Sequence, residues 1–382
     1  MKLTSFVAAA AMAALGTAAL ADGHGGKIKV GMITTLSGGG AYLGADVRDG
    51  FKLALKMAGD SNVELIVEDD QRKPELAVQL ADQMIPVSTS TLSDCTILSN
   101  LLLAVAPSVT AQGKFYLSPN AGPSVLAGRG CHPNYFNVSW QNDAFSEAAG
   151  AIATENGVKK VFLMAPNYPA GKDMMSGFKR FFDGEVSNEV YTKLGQTDYA
   201  AEIAQIRASD ADQLYFFLPG GMGISFMKQY ADSGIDMAMM GPAFSFDQGI
   251  LGAIGEAALG VKNTSHWSRD LDNPANKAFV EAYTAEYDRI PTLYASQGFD
   301  TANLLLSAMA KADIKDADAF RSALEAADFA STRGDFAFGN NHHPIQTIYL
   351  REVIKDGDVV TNKLIGTASV GHTDAYAGDC KM

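Results

Sequence analysis

The residues best placed to meet a ligand in this sequence are turns rich in free backbone donors, not reactive side chains. Ser37-Gly38-Gly39-Gly40-Ala41-Tyr42-Leu43-Gly44 joins a β-rich run to a helical one. Free N–H groups and a helix dipole at such a junction favour an anion, although the same residues also make a plain tight turn. The glycines do not give G-x-G-x-x-G, and the second β-run ends in Glu68-Asp69-Asp70 with no ribose-binding acid in register, so this is no dinucleotide fingerprint. Ser99-Asn100 precedes the apolar run Leu101 to Ala106, a short helix that Pro107 would end. Ser99 either caps only its own helix or marks an end that also offers N–H groups to a ligand. Leu117-Ser118-Pro119-Asn120-Ala121-Gly122-Pro123-Ser124 follows a β-run and is rich in turn formers. The carboxyl end of a parallel strand is where ligands sit by default.

Catalytic patterns are absent from the sequence. No G-x-S-x-G elbow occurs, and Ser225 in Gly223-Ile224-Ser225-Phe226 lacks the second glycine. Asp69-Asp70 has no third member to give it acid–base work and reads as a solvated strand end. There is no C-x-x-C, no H-E-x-x-H and no Cys/His cluster at metal-ligand spacing, so no metal and no cofactor are expected. His342-His343, before Pro344 in a Gly-Asn-Asn loop, reads as a solvated turn.

The elements that must position these turns follow from length and patterning. The chain has 382 residues, 47% apolar and 19% charged, which excludes disordered, collagenous and polytopic membrane classes and suggests two domains. With 43 acidic against 30 basic residues the formal charge is −13, which repels phosphate backbones and anionic membranes; no nucleic-acid partner is expected. Met1-Lys2, the apolar run Phe6 to Leu15 and Ala19-Leu20-Ala21 have the form of a secretory signal over residues 1–21. The run is short of the roughly 20 residues that a membrane span needs. An exported protein in an oxidising space follows, in which one disulfide among Cys95, Cys131 and Cys380 leaves one thiol over.

Strand-like runs at 27–34, 63–68, 114–117, 161–164, 189–194, 214–218 and 237–241 alternate with helical periodicity, as at Leu43, Val47, Phe51, Leu55 and Ala58. Such alternation argues for βαβ units and mainly parallel sheets. No Pro- or Ser-rich linker separates two halves, which points to several crossing strands, with Val138 to Asp143, Asn263 to Arg269 and Asn340 to Gln346 as their expected places.

The order of these segments resembles the branched-chain amino acid type of periplasmic solute-binding protein that serves ABC importers. The segments are KIKVGMITTLSGGGAYLG, SNLLLAVAPSVT, FYLSPNAGPS, FNVSWQND, KKVFLMAPNYPAGKD, LPGGMGISFMKQYADSGI, MMGPAFSFDQ, YASQGFDTANLL and RGDFAFGNNHHPIQTIY, together spanning nearly all of residues 27–380. The resemblance implies a type I periplasmic-binding fold: α/β, two lobes, each a mainly parallel sheet flanked by helices, joined by three crossing segments. The lobes would be 27–139 with 268–342, and 140–267 with 343–382. It implies a small-molecule ligand held without chemistry between closing lobes, and a permease and ATPase in the inner membrane as partners. An exported α/β hydrolase and a sensor domain are the readings from other classes.

By position the resemblance assigns ligand contacts to Ala41, Tyr42, Ser99, Asn100, Asn120, Ala121 and Gly122 in the first lobe. In the second it assigns Asn167, Tyr168, Pro219, Gly220, Gly221, Phe244, Phe246 and Asp247. Two features depart from it. Residues 86–95 read Pro-Val-Ser-Thr-Ser-Thr-Leu-Ser-Asp-Cys where the family has a charged turn and an apolar strand. Ser-Thr-Ser-Thr-Leu-Ser can be encoded so that a shifted frame reads Asp-Val-Asp-Ile-Val, so the segment is either a local frameshift, with Cys95 its artefact, or a polar edge strand. The expected disulfide is Cys131–Cys380, closing a loop worth about 5 kcal/mol in the chain-entropy model and leaving Cys95 free.

The second departure concerns the ligand. Relatives that bind amino acids carry an acidic residue directly after the Gly-Pro of the second-lobe loop, but here Gly241-Pro242 is followed by Ala243. The first-lobe turn also lacks its usual threonine. Tyr42, Tyr168, Phe244, Phe246 and Trp140 offer aromatic surface instead, and Ser99, Asn100 and helix N-termini could hold a carboxylate. An aromatic or other apolar carboxylic acid is therefore expected over a branched-chain amino acid or amide, with Asp247 or Asp300 the acids that could still reach an ammonium.

Overall fold

The computed structural model describes residues 27–59, 62–87, 91–92 and 96–382. The signal segment, Cys95 and most of the Ser/Thr run lie outside the described residues. The chain begins as a repeated βα unit: β1 (Ile28–Thr34), α1 (Ala41–Met57), β2 (Val63–Asp69), α2 (Pro74–Met84), β3 (Thr91–Leu92), α3 (Ser99–Ala111), β4 (Phe115–Ser118), α4 (Ser124–Ala127) and β5 (Tyr135–Asn137). The five strands form one parallel sheet in the order β2-β1-β3-β4-β5. Val30, Met32 and Ile33 are fully buried, as are Tyr116 and Leu117, the burial expected when helices cover a parallel sheet.

A second run supplies α5 (Ala144–Glu155), β6 (Lys160–Pro166), α6 (Pro169–Phe181), β7 (Glu185–Thr192), α7 (Ala200–Ala208), β8 (Gln213–Phe216), α8 (Gly221–Ser233), β9 (Ala238–Pro242), α9 (Gln248–Ile254) and β10 (Lys262–Ser265). The chain then returns to the first lobe through α10 (Pro274–Tyr287), α11 (Leu293–Met309) and α12 (Ala317–Glu325), where Phe320 of α12 meets Phe115 of β4 at 5.1 Å. It ends in β11 (Phe336–Phe338), β12 (Pro344–Asp356) and β13 (Val359–His372). The second sheet runs β11-β12-β10-β9-β8-β6-β7, with β13 on β12 and its β10 to β13 pairings antiparallel.

Three sequence expectations change. Helix α3 continues through Pro107 to Ala111, because Leu101, Leu102, Val105, Ala106 and Val109 form one buried face that packing holds helical past the lost hydrogen bond. Strand β3 pairs with β1 on one side and β4 on the other, so the segment is no edge strand, and a Ser/Thr run is least expected at such an interior position. His342 and His343 are buried instead of solvated. The His342 ring stacks on Phe136 at 4.0 Å, with Nδ1 near Tyr135 O and Nε2 near Glu325.

The first and third crossings meet at one buried node. Val138 to Asp143 links β5 to α5, residues 266–273 link β10 to α10, and the start of β12 makes the third passage, beginning beside β5 where Asn137 N–H donates to His342 O. Arg333, 1% exposed, donates to Val138 O, Ser139 O, Gln346 Oε1 and Asp300 Oδ2 at 2.7 to 3.0 Å. Gln346 Nε2 also donates to Ser139 O. Cys131 and Cys380 are joined by a disulfide across a separation of 249 residues. Replacing Arg333 with Met would leave the Asp300 carboxylate buried without its cation, and a loss of about 3–5 kcal/mol is expected in denaturant unfolding. An Arg333→Met variant as stable as wild type would show that the node carries little of the fold.

Candidate functional site

Both sheets point the carboxyl ends of their parallel strands at the gap between lobes, the usual place for a ligand in open α/β sheets. Two adjoining chambers fill that gap. The inner one, about 20 Å³, is walled by Trp140, Tyr168, Phe217, Phe244 and Tyr294, with Ser99, Asn120 and Ala121 at its first-lobe side. The outer one, about 260 Å³, is bordered by Thr35, Gly39, Arg72, Gln196, Thr197 and Gly220 among others. Leu43, Ile97, Leu98 and Pro219 belong to both, so the chambers form one continuous cleft.

Each wall follows from local structure. The loop 35–40 and the start of α1 come off β1, the turn carrying Arg72 off β2, Asn120 and Ala121 off β4, and Trp140 from the first crossing. The second lobe brings Tyr168 at the N-cap of α6 and the segment Phe217 to Gly220 between β8 and α8. Rings interlock across the inner chamber: Trp140 to Phe244 at 4.3 Å, Phe244 to Tyr294 at 5.8 Å and Tyr168 to Phe217 at 6.2 Å. Trp140 Nε1, Asn120 Oδ1 and the Tyr42 hydroxyl are buried with no partner among the described residues. Burial holds the Tyr168 hydroxyl far above its usual range, against the pull of Arg72 from the other lobe.

The charge distribution is one-sided. Among the described residues no Asp or Glu lines either chamber, and Arg72 is the one charged lining residue. Asp247 instead caps α9 through Gly249 N–H at 3.0 Å and accepts from Leu293 N–H at 3.2 Å; burial, with Asp46 nearby, pushes it up to about 7. Asp300 accepts from Ser331, Thr332 and Arg333. Both acids considered for an ammonium are held elsewhere by their own partners.

Of the positions expected to touch ligand, Ser99, Asn120, Ala121, Tyr168, Pro219 and Phe244 line the inner chamber and Gly220 and Gly221 the outer. Seven do not line the chambers. Ala41 opens α1, and Tyr42 lies edge-on to Tyr294 at 6.2 Å and against Gly249. Asn100 is half-buried in α3 with Oδ1 unpartnered, and Gly122 packs against Trp140 O. Asn167 is exposed. Phe246 belongs to the second-lobe core beside Phe216, and Asp247 is the cap just described. Arg72, Phe217, Tyr294, Gln196 and Thr197 line the cleft without having been singled out in the sequence; Arg72 had one signal, its place just past a strand end.

Contacts between lobes show what closure uses. Asp173 of α6 accepts from Ser124 Oγ at 2.6 Å, Ser124 N–H at 3.0 Å and Asn142 Nδ2 at 2.9 Å. Asn142 Nδ2 also donates to Ser99 Oγ at 3.1 Å, tying this clasp to the cleft wall. Gly220 adopts φ +65, and a Cβ there would lie 3.6 Å from Gly39 O of the facing lobe.

A pattern shared by the periplasmic binding protein family matches residues 27–358. A Leu/Ile/Val-binding protein homologue of Brucella melitensis is 28% identical over 387 aligned positions, covering 96% of this chain and 97% of its own. A solute-binding protein of an ABC transporter from R. palustris, solved with benzoate, is 31% identical with a TM-score of 0.88 over 94% of this chain and 100% of that one. Another from Rhodopseudomonas palustris BisB5, solved with 3,4-dihydroxybenzoic acid, is 28% identical with a TM-score of 0.82, over 91% of this chain and 99% of that one.

A Cβ at Gly249 would come within 2.5 Å of the Tyr42 ring from the opposite lobe. Gly249→Ala is therefore expected to oppose closure, weakening ligand binding about tenfold or more in calorimetry while leaving unfolding of the ligand-free protein nearly unchanged. Unaltered affinity would mean that the lobes do not need this contact to close.

Proposed function

Because the chain belongs to the periplasmic binding protein family, whose members are not enzymes, we propose that it captures an aromatic monocarboxylate between its lobes and delivers it to an ABC importer. The carrying observation is the cleft lining itself: five aromatic rings, one arginine and no carboxylate among the described residues. A flat apolar ligand gains from ring contacts beyond its buried area. A zwitterionic amino acid would bury an ammonium with no anion to receive it, which is costly. The benzoate and dihydroxybenzoate complexes of the two similar solute-binding proteins support the same ligand class.

The mechanism is a population shift. A ligand touching both lobes binds the closed form better and draws the equilibrium toward it. The Asp173 clasp and the Gly39–Gly220 approach form only when the lobes meet, so closure creates a composite surface. In this reading that surface is what a membrane permease with its ATPase recognises, and the protein works after export, in the periplasm.

Ligand-stripped protein is expected to be stabilised by about 2.7 kcal/mol when an aromatic acid is present at a hundredfold excess over its dissociation constant. A thermal-shift panel of aromatic acids, aliphatic acids, amino acids and amides reads this directly. Stabilisation by leucine or valine with none from any aromatic acid would overturn the proposal.

A further inference from the structure

The turn after β2 is built with care. Gln71 and Arg72 are consecutive non-glycine residues in the left-handed region, at φ 50 and 62, a conformation that persists only where its surroundings hold it. Asp69 Oδ1 accepts from Gln71 N–H and Leu36 N–H, both at 2.9 Å. Asp70 Oδ1 accepts from Arg72 N–H at 2.7 Å and Thr35 Oγ1 at 2.8 Å. The acidic pair read from sequence as a solvated strand end is thus the brace of this turn, and Asp70 is fully buried.

What the brace presents is the Arg72 side chain. It is half-buried at the wall of the outer chamber, and its guanidinium makes no hydrogen bond or ion pair with any described residue. At the other end of the cleft, Trp140 Nε1 and Asn120 Oδ1, a donor and an acceptor on inner-chamber residues, are buried without partners among the described residues. Buried polar groups are normally satisfied, so the inner end of the cleft is short of a polar partner, while the outer end offers a half-buried cation. The inner chamber has room for about one water-sized group. The outer chamber, at about 260 Å³, has room for a ring and a chain beyond it.

We infer that the ligand is an arylpropanoid-type acid lying along the whole cleft, its carboxylate set off from the ring by a short carbon chain and paired with Arg72. The ring packs on Leu43, Ile97, Leu98 and Pro219, where the chambers join, and turns one edge toward the aromatic wall of the inner chamber. A ring hydroxyl enters the inner chamber, accepting from Trp140 and donating to Asn120. This rests on the aromatic-acid reading above and adds the length and polarity of the ligand. A guanidinium and a carboxylate match in a two-pronged, charge-assisted geometry, which makes Arg72 the residue that sets the distance from ring to acid group.

Calorimetric titration of ligand-stripped protein with benzoate, phenylacetate, 3-phenylpropanoate, cinnamate, 4-hydroxycinnamate, cinnamamide and leucine tests it. Affinity is expected to rise along the first three, with cinnamate about tenfold tighter than benzoate and 4-hydroxycinnamate tighter again. Cinnamamide should bind about thirtyfold more weakly than cinnamate. Arg72→Gln should bring cinnamate down to the level of its amide, and Arg72→Lys should restore part of the loss, with circular dichroism confirming that both variants fold. Benzoate binding tightest, or cinnamate affinity untouched by Arg72→Gln, would overturn the inference while leaving the aromatic-acid reading intact. Binding of leucine alone would remove both.

Discussion

Everything the two lobes do relative to one another depends on the ion pair of Arg333 and Asp300. A guanidinium this deeply buried is tolerable only if each of its donors is met, and here the partners are backbone carbonyls of the first crossing, a side chain of the third and the Asp300 carboxylate of α11. The carboxylate in turn accepts from Ser331 Oγ, Thr332 N–H and Thr332 Oγ1. Satisfying one charge therefore fixes where the passages between lobes lie. A second arginine, Arg351, does the same for the remaining passage by donating to Asn263 and to Trp267 O. His266, between the two, is kept well below its usual titration range by burial and by both guanidinium groups, so it stays neutral there.

The cleft is arranged differently. At the node each guanidinium meets several acceptors, and the His266 ring nitrogens are buried without a partner among the described residues; at the ligand site Trp140 Nε1 and Asn120 Oδ1 are left open in the same sense. Across the gap Gly39 lies against Gly220 and the Tyr42 ring against Gly249, with one polar clasp at Asp173.

Much of this was legible in the sequence because period and punctuation agreed. The alternation of strand and helix and the turns after the first and fourth strands follow from local patterns, whereas Ser99, read as a cap, is the first residue of α3, with Leu98 at the cap position and the Ser99 hydroxyl accepting from Asn142. What stayed hidden depends on contacts between distant segments. His342 sits in a loop whose composition suggests solvent, yet Phe136, more than two hundred residues earlier, covers it. Pro107 reads as a helix end until the apolar face around it finds the sheet. Asp247 looks like a site acid by position and is an N-cap by geometry. Arg72 had only its place just past a strand end to mark it; what sets it beside the cleft is the brace formed by Asp69 and Asp70 with residues of the first loop.

The C-terminal tail gives the lobes a relationship that sheet and helix alone would not. After β13 it leaves the second lobe, where His372 Nε2 lies 2.6 Å from Glu147 and the Tyr376 hydroxyl 2.8 Å from Asp143, and ends at Cys131 of the first lobe through the disulfide. Mechanically it is a door chain fitted beside the hinge. A tether that spans both lobes bounds how far they can part, and so bounds the orientational freedom that closing removes. A reduced protein has the same hinge and the same cleft, but its lobes swing without that stop.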